Sequence, residues 1–207
     1  MKNTITCSKC RATWEAEMAT AGTFTGECPK CAEERRTARF ASICPPLYQH
    51  TEIGRLPKAQ LKAAMKWKYG VRGLMLYGDT GRGKTRVAWE LLRRYVILDN
   101  PERGLVWFDA VGFGHELVEH YKADDAEKWL SKLAIAKLVF FDDLGKLKMT
   151  ERAEAELFGL IERRCANELP IIITTNDTPS SVNERLTDNR GAAMIRRLRE
   201  FCEPIEF

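Results

Sequence analysis

Residues 74–89 read Leu-Met-Leu-Tyr-Gly-Asp-Thr-Gly-Arg-Gly-Lys-Thr-Arg-Val-Ala-Trp, and this stretch decides the fold of the chain. The apolar run at 74–77 predicts a buried strand, and Val87, Leu91 and Tyr95 predict one apolar face of a following helix. Between them, residues 78–85 fit the phosphate-binding pattern GxxxxGK[ST]. A glycine-rich turn without a nucleotide is the alternative. The strand, loop and helix fall in register around the match, which favours a nucleotide site.

Each part of this loop has a physical role in holding a nucleotide. The glycines let backbone N–H groups turn inward around an anion, and the helix N-terminus adds a positive partial charge. Lys84 is expected to reach the β- and γ-phosphates of ATP, and the Thr85 hydroxyl is expected to hold Mg²⁺. The predicted nucleotide-binding residues of the loop are Gly78, Asp79, Thr80, Gly81, Arg82, Gly83, Lys84 and Thr85.

The composition is that of an ordinary soluble protein with room for one α/β domain and a small appendage. The first ten residues lack the apolar segment of a secretion signal, and no apolar run is long enough for a membrane span, so we expect a cytoplasmic protein without membrane contact. The net charge is only +4, but residues 1–70 carry 12 Lys/Arg against 6 Asp/Glu. This basic front third is compatible with nucleic acid and also with a solvated basic surface.

Two CxxC pairs near the start predict a metal site. Cys7 and Cys10 form the first pair, Cys28 and Cys31 form the second, and seventeen residues separate the pairs. Four thiolates on two tight turns predict a structural Zn²⁺ site within a small ribbon of strands. Two disulfides and an iron–sulfur cluster are the alternatives. The remaining cysteines are predicted to be ordinary buried thiols; they are Cys44, Cys165 and Cys202.

The segment between the cysteines and the loop is predicted to be a basic helical connector. Residues 32–40 permit a helix, Pro45 and Pro46 break it, and residues 56–67 predict a second helix. Lysines recur at about four-residue steps along this second stretch and could track phosphates or form a solvated face. Ile43, Tyr48 and Tyr69 are candidates either to cover a purine or to pack in the core. The predicted domains are therefore a four-cysteine zinc ribbon at 1–35, this connector at 36–70, and a nucleotide-binding domain at 71–207.

Two later strands are predicted to deliver polar side chains to the same sheet edge as the loop. The run 138–141 is apolar and ends in Asp142 and Asp143, and the run 171–173 is followed by Thr174, Thr175 and Asn176. Because the carboxyl ends of parallel strands share one edge, Asp142 is expected to serve the Mg²⁺ shell and Asp143 to orient or deprotonate the attacking water. Asn176 is expected to contact the γ-phosphate or that water, although an ordinary turn residue is the alternative.

These motifs together resemble one family. The loop, Phe-Phe-Asp-Asp-Leu-Gly at 140–145, Ile-Thr-Thr-Asn at 173–176 and Met-Ile-Arg-Arg-Leu-Arg at 194–199 occur in this order. Residues from about 45 to 207 resemble the DnaC/DnaI/IstB-like branch of AAA+ ATPases. The resemblance implies an α/β fold with a five-stranded parallel sheet in the order 5-1-4-3-2, flanked by helices and without a separate helical lid. A compact protein of this kind also resembles products of phages and other mobile elements.

The resemblance also assigns roles to residues. Asp142 and Asp143 match the acidic motif, Asn176 matches the sensor, and Arg197 is the candidate for an arginine finger that acts in trans, with Arg196 and Arg190 as near alternatives. Since most AAA+ proteins carry Glu at the position of Asp143, slow and regulated ATP hydrolysis is expected.

The implied function is that of a helicase loader. The protein would be an ATPase of DNA replication that engages a replicative DNA helicase and single-stranded DNA, and it would form homo-oligomers when it binds ATP or DNA. A transposition helper that assembles on duplex DNA shares the same motifs. A zinc-ribbon adaptor, in which the nucleotide only stabilises the fold, and a metabolic phosphotransferase are further alternatives.

Overall fold

The computed structural model describes residues 2–17, 28–70, 72–99, 104–144, 150–176 and 190–207. The chain divides into two compact units, the first built from residues 1–50 and 93–101 and the second from residues 51–92 and 102–207. Among the described helices, none combines the length and the apolar composition needed to cross a lipid bilayer.

The first unit begins with an antiparallel hairpin and continues with a helix. Strands β1 (Lys2–Thr6) and β2 (Thr13–Glu17) pair along their whole length, with Ile5 opposite Trp14. Helix α1 (Pro29–Ile43) follows, and the one-turn helix α2 (Pro46–Gln49) comes next. Segment 93–101, part of which is π-helical at Tyr95–Asp99, also belongs to this unit. The Arg36 guanidinium donates to the Ile97 carbonyl at 3.2 Å and so joins α1 to that segment.

The predicted segment boundaries differ from this division. Helix α1 runs without a break across the predicted boundary between residues 35 and 36. Residues 51–70 belong to the same unit as the phosphate loop, not to a separate connector. The physical reason is that the helix predicted at 56–67 is short, α3 (Lys58–Ala64), and that Leu56, Ala64 and Trp67 are buried. Residues 18–27, which belong to the predicted ribbon of strands, lie outside the described residues.

The second unit is a parallel sheet covered by helices. Its strands are β3 (Gly73–Tyr77), β4 (Leu105–Asp109), β5 (Leu138–Asp142), β6 (Ile171–Thr175) and β7 (Cys202–Glu206). They lie side by side in the order β4-β5-β6-β3-β7, and every neighbouring pair is parallel. If the strands of this unit are numbered 1 to 5 along the chain and the sheet is read from β7 to β4, the order is 5-1-4-3-2, as predicted. Strands β5 and β6 are fully buried, which explains their continuous apolar sequence.

Helices flank the strands of the second unit along the sequence. Besides α3, they are α4 (Lys84–Arg94), whose last two residues belong to the first unit, α5 (Ala110–Lys122), α6 (Ala126–Ile135), α7 (Glu151–Ala166) and α8 (Arg190–Phe201). The predicted apolar positions Val87, Leu91 and Tyr95 are at most 2 % exposed, and so are Phe113, Leu117 and Leu157 on the later helices. Thr150 caps α7 by accepting a hydrogen bond from the Ala153 N–H group.

Candidate nucleotide site and cysteine cluster

The loop between β3 and α4 is built as a phosphate cradle. Gly78 and Gly83 adopt φ angles of +124° and +94°, which side chains with a Cβ atom rarely allow. Helix α4 begins at Lys84, so the free N–H groups of its first turn face the loop. The Lys84 ammonium donates to the carbonyls of Gly78 and Asp79 at 2.8 and 2.7 Å. The lysine is therefore held inside the loop, at the place where phosphate oxygens would bind.

The loop and the predicted acidic motif lie in direct contact. The Thr85 hydroxyl donates to Asp142 Oδ1 at 2.8 Å, although 57 residues separate them in sequence. A hydroxyl that gives its proton to a carboxylate keeps its lone pairs for a cation, which is the role expected of Thr85 toward Mg²⁺. The structure thus brings together the loop threonine and the acid that the sequence predicted would share a metal.

The asparagine predicted as a sensor reaches the second acid. The Asn176 Nδ2 atom, at the end of β6, donates to Asp143 Oδ1 at 3.3 Å. Asp143 lies just beyond β5, where its backbone has a left-handed φ of +53°. Asp142 is 7 % exposed and Lys84 is 5 % exposed, so the site is recessed from solvent. Lys84, Thr85, Asp142, Asp143 and Asn176 therefore form one contiguous site.

Burial sets the electrostatics of this site. Desolvation lowers the pKa of Lys84, and the charges of Asp143, Asp79 and Asp142 oppose that shift. Desolvation likewise raises the pKa of Asp142, against hydrogen bonds from Thr174 and Thr85 that lower it. Both groups gain from a counter-charge, because the buried lysine favours an anion and the buried carboxylate favours a cation. A Mg²⁺–triphosphate supplies both.

Some residues near the loop were missed by the sequence reasoning. A Cβ atom added to Gly83 would lie 3.5 Å from Pro57 and 3.8 Å from Leu56, so these two apolar residues border the loop. The sequence had suggested Ile43, Tyr48 and Tyr69 as residues that either cover a purine or pack in the core. Asp109 ends β4 beside Asp142 in the sheet register and caps α5 by accepting from the Gly112 N–H group at 2.6 Å. The signal for Asp109 was available, since an acid before a helix is a common N-cap.

Arg197, the predicted arginine finger, forms two ion pairs within the second unit. The Arg197 Nε atom donates to Glu162 on α7 at 2.8 Å, and the other arm of its guanidinium donates to Glu200 at 3.2 Å. These carboxylates raise its pKa further, which keeps it cationic. Arg196 is exposed to solvent on the same helix. The side chain of Arg190 lies outside the described residues.

The four paired cysteines form a separate cluster in the first unit. All four sulfur atoms lie within 4.8 Å of one another, and none is in a disulfide. The Cys7 and Cys31 sulfurs are 3.7 Å apart, and those of Cys10 and Cys28 are 3.6 Å apart. Four sulfurs bound tetrahedrally at about 2.3 Å from zinc lie about 3.8 Å apart. The spacing therefore fits a zinc site with four cysteine ligands.

One part of the predicted cysteine geometry is wrong. The first pair lies in the turn of the β1–β2 hairpin, as expected, but the second pair lies at the start of α1 and not on a second tight turn. Pro29 occupies the first position of that helix, where proline is favoured, and this signal was present in the sequence.

Backbone N–H groups prepare the first pair for a cation. The N–H groups of Cys10 and Lys9 point at the Cys7 sulfur and lower its pKa to about 6. The pKa of Cys31 is raised to about 12 by the Cys10 thiol and by burial. Four thiolates this close repel one another unless a divalent cation compensates them.

The sheet order and the contiguous loop, acid and asparagine site define a P-loop ATPase domain of the AAA+ class. The family model for the bacterial DnaA ATPase domain matches residues 55–194, and the chain belongs to that family. The predicted resemblance to AAA+ ATPases and the predicted enzyme class, an ATPase, are thereby confirmed.

Curated relatives agree with this assignment. The chromosomal replication initiator protein DnaA of Streptococcus agalactiae is 26 % identical over 113 residues, which cover 54 % of this chain and 25 % of the relative. DnaA of Leptothrix cholodnii is 27 % identical over 124 residues, which cover 58 % of this chain and 24 % of the relative. The chain therefore spans about a quarter of the length of these relatives.

Solved structures show the same fold. AMPPCP-bound DnaA from Aquifex aeolicus superposes with a TM-score of 0.60 at 20 % identity, over 79 % of this chain and 50 % of that one. The DnaC helicase loader superposes with a TM-score of 0.61 at 20 % identity, over 82 % of this chain and 98 % of that one. DnaI gives a TM-score of 0.57 at 18 % identity, over 91 % and 89 % of the two chains.

Proposed function

We propose that the protein binds and hydrolyses ATP with Mg²⁺ at the loop and acts in DNA replication as a helicase loader. The observation that carries the ATP site is the contact of Thr85 with Asp142, because it joins the phosphate loop to the acid that would share its metal. Lys84 and the loop N–H groups would hold the phosphates, and Thr85 and Asp142 would hold Mg²⁺. Asp143, positioned by Asn176, would accept a proton from the water that attacks the γ-phosphate.

The helicase-loader role rests on two supports. The fold covers nearly the whole solved DnaC helicase loader chain, and it covers most of DnaI. In addition, Lys58, Lys62, Lys66 and Lys68 are all exposed, so that part of the second unit presents a basic surface that suits the backbone of single-stranded DNA. A replicative DNA helicase is the proposed protein partner, and assembly with further copies of this chain is the proposed active form.

ATP turnover tests this proposal most directly. The zinc-loaded protein is assayed over a concentration series without DNA, with single-stranded DNA and with duplex DNA, and Lys84→Ala is the inactive reference. A rate that rises faster than protein concentration and responds to single strands supports the loader. Stimulation by duplex DNA alone supports the transposition helper instead. ATP binding without turnover in any condition refutes hydrolysis and supports the adaptor.

A mixing experiment tests the finger in trans. Arg197→Ala keeps its own phosphate loop, whereas Lys84→Ala keeps its own Arg197. Each variant alone should be inactive, and a mixture should recover part of the activity, because a Lys84→Ala subunit can offer Arg197 to the intact loop of a neighbour. Arg196→Ala is mixed with Lys84→Ala in the same way. Arg199→Ala is the matched control, because Arg199 is exposed on the same helix. Failure of every mixture to recover activity would refute Arg197 and Arg196 as fingers that act in trans.

We assign the cysteine cluster to a structural Zn²⁺ ion. Four sulfurs leave no position for water or substrate once they bind the ion, so its role would be to fold the first unit. Metal analysis of the purified protein should give one zinc per chain, and Cys10→Ser should reduce it. Cys44→Ser is the matched control, since Cys44 is a buried thiol of the same unit that lies outside the cluster. An iron signal with visible absorbance would instead indicate an iron–sulfur cluster.

A further inference from the structure

Thr174 is a buried residue of β6 whose hydroxyl lies between the two acids of the proposed ATP site. Its side chain is fully buried. The hydroxyl oxygen accepts a hydrogen bond from the Asp143 N–H group at 2.8 Å, and the hydroxyl donates to Asp142 Oδ1. An amide N–H group can only donate, so the single hydroxyl proton is directed at the carboxylate. The Thr174 hydroxyl thus binds the carboxylate of Asp142 and the backbone N–H group of Asp143.

The carboxylate of Asp142 is fixed from two directions. Its Oδ1 atom accepts one hydrogen bond from Thr85, at the start of α4, and another from Thr174. These two donors come from the helix that follows the loop and from the neighbouring strand. With both in place, the carboxylate cannot rotate away from Thr85 without losing a buried hydrogen bond, which costs about 1–3 kcal/mol.

The backbone after β5 is held by the same strand. The Leu144 N–H group donates to the Thr174 carbonyl at 2.8 Å, and the Thr175 hydroxyl donates to the Leu144 carbonyl. Between these anchors Asp143 takes its left-handed φ of +53°, a conformation that costs an L-residue about 1–2 kcal/mol. The hydrogen bond from the Asp143 N–H group to Thr174 helps to offset that cost, and the resulting turn places the Asp143 side chain against Asn176.

We infer that Thr174 is a positioning residue of the ATPase, whose hydroxyl sets the orientation of Asp142 toward Thr85 and the backbone conformation of Asp143. The inference rests on the proposed function, since it concerns the same Mg²⁺–ATP site. Thr174 acts through the two acids and not on the phosphates.

Three variants test this role. Thr174→Val keeps the shape and removes the hydroxyl, Thr174→Ser keeps the hydroxyl, and Thr175→Val removes an adjacent buried hydroxyl that donates to a carbonyl instead of to an acid. For each we would measure kcat, the dissociation constant of a fluorescent ATP analogue in EDTA, and the Mg²⁺ concentration that half-saturates tight analogue binding. Urea unfolding of all three reports the structural cost.

Thr174→Val should raise the half-saturating Mg²⁺ concentration and lower kcat by about 10- to 100-fold each, the loss typical when a partner that orients a metal ligand is removed. Analogue binding in EDTA should stay within about twofold of the wild type, since the loop itself is unchanged. Thr174→Ser should recover most of the Mg²⁺ affinity and most of kcat. Thr175→Val should lose about as much stability as Thr174→Val but keep the Mg²⁺ response of the wild type.

Two results would overturn the inference. One is a Thr174→Val protein with the Mg²⁺ response of the wild type, and the other is an equal Mg²⁺ defect in Thr175→Val, which would mean that both threonines act only through folding. If the wild type binds the analogue but does not turn over ATP, the proposed hydrolysis fails by itself. The Mg²⁺ titration then still decides whether Thr174 orients Asp142.

Discussion

Replacing Arg164 tests the energetics of the second unit most sharply. Arg164, on α7, is fully buried, and its guanidinium donates to the carbonyls of Leu133, Ala136 and Pro170 at 2.7, 2.8 and 2.7 Å. Two of these carbonyls end helix α6, and the third directly precedes β6. The side chain therefore ties the end of one helix to the start of the strand that carries Thr174 and Asn176.

The magnitude follows from the acceptors that would be stranded. In Arg164→Met, all three carbonyls lose their charged donor, but the Leu133 carbonyl keeps the N–H group of Ala136 at 3.3 Å. The Ala136 and Pro170 carbonyls therefore carry most of the cost, at about 1–3 kcal/mol for each unsatisfied buried acceptor. Removing the charge gives part of this back, because burial lowers the pKa of Arg164 to about 10 and so disfavours its cation. We expect a net loss of about 2–4 kcal/mol in the free energy of unfolding, from two stranded acceptors less the desolvation cost that the arginine no longer imposes.

Urea unfolding of the zinc-loaded protein, followed by far-ultraviolet circular dichroism, measures this loss. Arg163→Met is the matched control, since Arg163 precedes Arg164 on the same helix and is exposed. It should change stability by less than about 0.5 kcal/mol. Arg164→Lys should fall between the two, because an ammonium can replace some of the three bonds but lacks the planar fork. An Arg164→Met protein as stable as Arg163→Met would refute the reasoning.

Two further predictions concern the loop and the cysteine cluster. A Cβ atom on Gly78 would lie 2.3 Å from the Phe207 carbonyl oxygen, whereas one on Gly81 meets nothing within 4 Å; both glycines have positive φ. Gly78→Ala should therefore lower the urea midpoint clearly more than Gly81→Ala, and equal midpoints would contradict this contact. Chelation of zinc should unfold the first unit, seen as a loss of circular dichroism that Zn²⁺ reverses and Mg²⁺ does not; an unchanged spectrum in the metal-free protein would contradict a structural zinc.

Much of the second unit follows from local sequence pattern. Continuous apolar runs that end in polar residues predicted the buried parallel strands, and their polar ends had to meet at one sheet edge. This is why the sequence alone could place Asp142, Asp143 and Asn176 near Lys84. The order of the strands came from the resemblance to AAA+ ATPases, because no local pattern specifies which strands become neighbours.

Residues whose role depends on distant pairing could not be found in this way. Thr174 lies 32 residues from Asp142, and the sequence shows its hydroxyl only as one of several polar groups at the end of a strand. Arg164 looked like one more charged residue on a polar helix, and only the packing of α6 against α7 makes it a buried donor. Leu56 and Pro57 border Gly83 because residues 51–57 pass the loop, a path that hydrophobic periodicity does not encode.

The position of β6 explains why its last residues matter so much. This strand pairs with β3 on one side and with β5 on the other, so its carboxyl end lies between the strand that leads into the loop and the strand that delivers the acids. The register pairs Phe141 with Ile173, which sets the next residues along the two strands, Asp142 and Thr174, side by side. If β6 lay at the edge of the sheet, it would have only one neighbouring strand. Asn176 and Thr174 could then lie beside the acids that follow β5 or beside the loop that follows β3, but not beside both. Polar residues at this strand end can therefore position both acids and still lie near the phosphate loop.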